Sequence, residues 1–78
     1  MSAPRLAPIL LESSLLRSVS YDGTRRILQL AFHSGAVYQY FDVPRPTYDQ
    51  LIAADSKGRY FNHSIRDCFS CQRVPVRR

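Results

Sequence analysis

The 78 residues carry 11 Lys or Arg against 6 Asp or Glu, giving a net charge of +5. That length admits one domain, and 45% hydrophobic residues with 12% aromatics are too many for a disordered chain. Two cysteines three residues apart exclude a disulfide framework, and no apolar run approaches the roughly 20 residues of a membrane-spanning helix.

Residues 1–11 read as a flexible N-terminal arm, because Pro4 and Pro8 interrupt its apolar stretch and no period is sustained. A domain over 12–72 follows. From Ser18 the pattern has period 2: Val19 and Tyr21 alternate with Ser18 and Ser20 until Asp22-Gly23 marks a turn. Leu28, Leu30 and Phe32 alternate with Ile27, Gln29 and Ala31 in a second strand, and a third runs from Ala36 to Phe41. A loop of either two or four residues around Asp22-Gly23 puts Val19 and Tyr21 on the Leu28 face.

The second hairpin decides where Tyr38 and Tyr40 point. A three-residue loop, His33-Ser34-Gly35 with a left-handed Gly35, pairs Phe32 with Ala36 and sets both tyrosines on the core face. Their hydroxyls then reach toward a rim. A two-residue loop, Ser34-Gly35, pairs Phe32 with Val37 and turns both rings outward, because a one-residue slip exchanges faces. The first register is preferred, since no Asn or Asp precedes the glycine.

Two helices follow. Pro44 and Pro46 suit a helix entry, where a missing N–H costs little. Tyr48, Leu51, Ile52 and Asp55 keep helical spacing, with the first three apolar. Ser56 suits the cap of a second helix starting at Lys57. On that helix Phe61, Ile65, Cys68 and Phe69 share one side, and Arg59, Asn62, His63 and Arg66 the other. Residues 73–78, Arg-Val-Pro-Val-Arg-Arg, read as a basic C-terminal tail or a short terminal strand. The order β-β-β-α-α specifies an α+β fold: a three-stranded antiparallel meander packed against two α-helices.

Several of these residues fall into a recognisable order. Ser13-Ser14-x-Leu16-x-x-Val19-Ser20-Tyr21-Asp22, Leu28-x-Leu30-x-Phe32, Gly35, Tyr38-x-Tyr40 and Val43-Pro44 precede Tyr48, Leu51 and Ala54. Ser56-x-Gly58-x-Tyr60-Phe61-Asn62-x-x-Ile65-Arg66 closes the series. Together they resemble the KTSC domain, a family named for its place at the C-terminus of some lysyl-tRNA synthetases and also found as a stand-alone bacterial protein. The likeness extends over about residues 13–69. Ser20 departs from it, since the family pattern usually has Gly just before Tyr-Asp. The resemblance implies a small α+β module and, through the synthetase association, RNA as a partner.

The residues themselves point the same way. Ten of the eleven basic residues are arginine, whose planar fork suits phosphates and carboxylates. Arg59, Asn62, His63 and Arg66 project together from the second helix, with Lys57 at its positive end and Tyr60 beside the stripe as a stacking residue. These six form the candidate nucleic-acid-binding surface, set against the plainer possibility of a solvated face with Arg59 or Arg66 paired to an acid. Arg25, Arg26, Arg73, Arg77 and Arg78 either extend the patch or are solvated turn and tail residues.

Cys68-x-x-Cys71 with His63 supplies three metal-capable residues where a structural zinc site wants four, so no metal or other cofactor is expected and Cys68 reads as a small core residue. No base stands near Ser13, Ser14 or Ser34 and no glycine-rich phosphate loop is present, so the chain reads as a non-enzymatic binding module. A second class is a protein–protein or self-association module using the other sheet face, where Ile27, Val37 and Phe41 stand among Gln29, Ala31 and Gln39. With no membrane partner and no targeting segment, a cytoplasmic location is expected.

Overall fold

Alternating side chains in the central strands give a sheet with one apolar face, and two short helices cover it. The computed structural model describes residues 8–75 as one five-stranded antiparallel sheet with its strands in chain order. These are β1 (Ile9–Leu10), β2 (Leu16–Asp22), β3 (Ile27–Phe32), β4 (Val37–Tyr40) and β5 (Cys71–Arg73). Between β4 and β5 come α1 (Arg45–Ala53) and α2 (Lys57–Ser64). Leu51, Phe61 and Ile65 from the helical half join Leu16, Val19, Leu28, Leu30 and Tyr40 in one buried cluster.

Both hairpins follow from their turn residues. In the first, the Asp22 Oδ1 accepts from the Thr24 and Arg25 amides at 3.0 and 3.2 Å. The Asp22–Ile27 pair leaves four residues in the loop, and Arg26 closes it at φ 58°. In the second, the Gly35 amide donates to the Phe32 carbonyl at 2.9 Å, with Gly35 at φ 99°. Phe32 then donates to Ala36, and the ladder continues as Leu30–Tyr38 and Leu28–Tyr40. Tyr38 and Tyr40 therefore stand on the helix side of the sheet, as the three-residue loop requires.

The meander is wider than the sequence pattern indicated. Ile9 and Leu10, inside the stretch expected as an arm, pair with Val19 and Ser18; residues 1–7 lie outside the described residues. At the other edge Cys71, Gln72 and Arg73 pair with Tyr40, Gln39 and Tyr38, and the Val74 amide donates to Val37. The short terminal strand, one of the two readings of 73–78, is present and begins earlier, at Cys71; 76–78 lie outside the described residues. Backbone hydrogen bonds recruit both edges. Their side chains are exposed, so neither edge writes a hydrophobic period into the sequence.

β2 also starts earlier than its alternation suggests. A bulge lets Leu16 pair with Phe32 while Ser18 pairs with Ala31, making Arg17 the extra residue. That shift returns Leu16 to the Val19 face, where it is fully buried.

Helix α1 enters through Pro44, without a side-chain cap. Helix α2 is capped by Ser56, whose Oγ accepts from the Arg59 amide at 3.3 Å. This end of α2 lies against the loop before β2: a Cβ on Gly58 would stand 3.4 Å from the Leu15 Cβ, in van der Waals contact. The helix stops at Ser64, earlier than expected. Both the Ile65 and Arg66 amides turn back to the Phe61 carbonyl, and Cys68 donates to Ile65. This break in helical phase swings Cys68 into solvent, correcting its expected place in the core, while Phe69 stays packed against the cluster.

Candidate functional site

Phe61 and Ile65 fix the rotation of α2, and the opposite side must then face water. Arg59, Asn62 and His63 are exposed on it, and Arg66 is exposed in the turn that follows. Neither Arg59 nor Arg66 meets a carboxylate within ion-pair distance among the described residues; the pair found there is Arg45–Asp49, at 3.5 Å. The guanidinium groups are thus uncommitted.

The two remaining candidates have structural duties. The Lys57 ammonium donates to the Ala54 carbonyl at 2.9 Å, closing the end of α1. The Tyr60 hydroxyl donates to the Gln50 Oε1 at 2.9 Å, tying α2 to α1, and its ring packs against the core. Around the helix the six residues divide. Arg59, Tyr60 and His63 border a shallow groove with Asp55 and Ser56. Lys57, Arg59 and Asn62 share another hollow with the loop before β2, while Asn62 and Arg66 border a cleft over β4.

That cleft has a volume of about 440 Å³ and an aromatic wall. Phe61 meets Phe32 and Tyr40 edge-on, at centroid distances of 5.3 and 5.8 Å. Phe32 meets Tyr38 at 6.0 Å and 90°, and Tyr38 lies 6.4 Å from Tyr40. Asn62, Arg66, Asp67 and Cys71 form the polar rim. Because Tyr38 pairs with Arg73, that arginine stands beside it on the same sheet face.

Burial first, then the neighbouring Cys71 and Tyr38, push the Tyr40 phenol up to about 12, with Asp67 adding and Arg66 opposing. Tyr40 is therefore a neutral donor at physiological pH. The sequence pattern placed its ring in the core and the arginines on α2, but not their meeting. The register fixed by Gly35, joined to the Phe61 side of α2, was the available signal.

The chemistry on offer is recognition: guanidinium and amide donors, phenols and ring faces. The His33 Nε2 lies 2.8 Å from the Ser13 carbonyl, to which its proton is directed, and is engaged in holding the loop before β2. Cys68 and Cys71 are exposed thiols, and among the described residues no three His, Cys, Asp or Glu side chains gather as metal ligands. No helix among them is long and apolar enough to cross a membrane.

Comparison with other proteins gives this geometry a family. A protein of Stutzerimonas stutzeri is 48% identical over 58 residues, which are 74% of this chain and 82% of that one. A lysine–tRNA ligase of Trichormus variabilis is 37% identical over 71 residues, 91% of this chain but 12% of the ligase. The crystal structure of a KTSC domain protein from Yersinia pestis superposes with a TM-score of 0.88 at 31% identity, covering 91% of this chain and all of that one. The KTSC domain model matches residues 12–69, and the chain belongs to the KTSC domain family.

Proposed function

We propose that the chain is a small non-enzymatic binding module for RNA or another polyanion, holding phosphate oxygens on the outer side of α2. The observation that carries this reading is the pair of exposed guanidinium groups at Arg59 on α2 and Arg66 in the turn after it, neither within ion-pair distance of a carboxylate among the described residues, flanking a helix held by its buried side. Asn62 and His63 stand among them as further hydrogen-bond donors. Lys57 adds charge at the N-terminal end, and Tyr60 borders the groove. A net charge of +5 draws polyanions to the whole molecule. The similarity of lysine–tRNA ligases over 71 residues adds an RNA setting to the electrostatic argument.

Fluorescence anisotropy with a labelled single-stranded oligoribonucleotide, across a salt series, tests this. Each phosphate contact on a single strand contributes about 0.7 to the slope of log affinity against log salt. The double variant Arg59→Ala, Arg66→Ala therefore flattens that slope by about 1.4 and weakens binding at least tenfold at low salt, with little change in melting temperature. Unchanged binding ends the reading.

Pairing of the open sheet face with a protein or a second copy is the competing reading. Ile27, Val37 and Phe41 are half-buried there, and Leu10 is 78% exposed. Light scattering that finds a dimer indifferent to RNA would favour it.

A further inference from the structure

We infer that the cleft between α2 and β4 receives one unstacked nucleobase of the bound strand, its ring against the half-buried ring of Phe32 and its polar edge toward the hydroxyls of Tyr38 and Tyr40. This deepens the reading of α2 as a phosphate-contacting surface and rests on it. Of the tyrosine hydroxyls near the core, those of Tyr21 and Tyr60 are bonded, to the Val43 carbonyl and to Gln50. Those of Tyr38 and Tyr40, like that of Tyr48, have no hydrogen-bond partner among the described residues, and in the Tyr38–Tyr40 pair both residues line the cleft.

Because no side-chain oxygen among the described residues is both buried and unpartnered, these phenols are reached by solvent in the cleft and are free to donate to an acceptor that enters it. A nucleobase offers carbonyl and ring-nitrogen acceptors along one edge of a flat apolar ring, matching this pattern of donors and aromatic wall. The strand it belongs to need not leave the basic surface. Arg66 rims the cleft itself, Asn62 stands beside it, and Arg73 flanks Tyr38 from β5. At about 440 Å³ the cleft also has the size of a small-ligand site.

Two probes separate base capture from charge: a short oligouridylate and inorganic polyphosphate of matched charge, both in competition format. Tyr40→Phe and Tyr38→Phe remove only a hydroxyl each, and Arg59→Ala removes charge away from the cleft. Each tyrosine variant is expected to weaken oligouridylate binding roughly three- to tenfold while leaving polyphosphate unchanged. Arg59→Ala should weaken both. NMR gives a readout that depends on no variant. Ring protons of Phe32 and Phe61 and the Asn62 side-chain amide shift with oligouridylate and stay still with polyphosphate.

If the tyrosine variants and the ring protons are indifferent to RNA while Arg59→Ala weakens both probes, base capture is overturned and the α2 surface stands. If Arg59→Ala has no effect while the tyrosine variants weaken RNA, the phosphate surface fails and the cleft stands. A chain that binds neither probe overturns both.

Discussion

Two tyrosine pairs sit on the same helix-facing side of the structure and are used in opposite ways. At one end Tyr21 and Tyr48 stack at 4.8 Å and 10°, and the Tyr21 hydroxyl donates to the Val43 carbonyl at 2.6 Å. The Val43 amide donates in turn to Arg26, so both backbone groups leading into α1 are satisfied. At the other end Tyr38 and Tyr40 lie 6.4 Å apart at 37°, with their hydroxyls open to the cleft. Tyr40 is buried and Tyr21 only half-buried, so burial does not tell the bonded hydroxyl from the open ones.

The largest expected effect tests whether the open end is a built wall. Phe61 is 4% exposed and edge-on to both Phe32 and Tyr40, so Phe61→Ala should cost about 3–5 kcal/mol in denaturant unfolding. A loss below about 1 kcal/mol would mean that the aromatic wall is loosely packed and that the comparison fails. Next comes Tyr21→Phe. It strips the donor from the carbonyl of fully buried Val43 and should cost about 1–2 kcal/mol by the same measurement. Equal losses for Tyr21→Phe and Tyr40→Phe at neutral pH would erase the distinction between the ends. Ser56→Ala is smaller still: losing the cap of the helix that forms the cleft's outer wall should cost about 1 kcal/mol.

What the sequence made legible is local in origin. Gly35 could be placed in its turn, and with it the register of Tyr38 and Tyr40, because a left-handed residue leaves few hairpin solutions. Ser56 announced α2, and Phe61 with Ile65 announced its buried side. Leu16 was hidden because the bulge at Arg17 resets the period that alternation relies on. β1 was hidden because edge pairing is made by backbone groups and leaves its side chains exposed, and for the same reason β5 could be read only as one of two alternatives for the C-terminal end. Cys68 was misplaced by extending helical phase through Ile65, where the backbone has left the helix at φ −122°. The cleft is the least local feature. It needs α2 laid against β4 and β5 beside it, and no window of sequence contains that meeting.

Tyr40→Phe is the finest test, and its sign is fixed by the phenol. At neutral pH the hydroxyl has no protein partner among the described residues, so its removal should change stability by less than about 0.5 kcal/mol. In the folded chain the phenol is pushed up to about 12, chiefly by burial, whereas an unfolded tyrosine ionises near 10. The folded state therefore holds this proton more tightly, and the contribution of neutral Tyr40 is complete below about pH 10. It declines as pH rises toward about 12, because the unfolded chain gains by ionising first. Plotted as wild type minus Tyr40→Phe, stability should be flat to about pH 10 and fall beyond it. A difference that stays flat across that window would place the phenolate comfortably in water. The Tyr40 hydroxyl would then belong to an ordinary wet surface, and the open end would lose the desolvation that sets it apart.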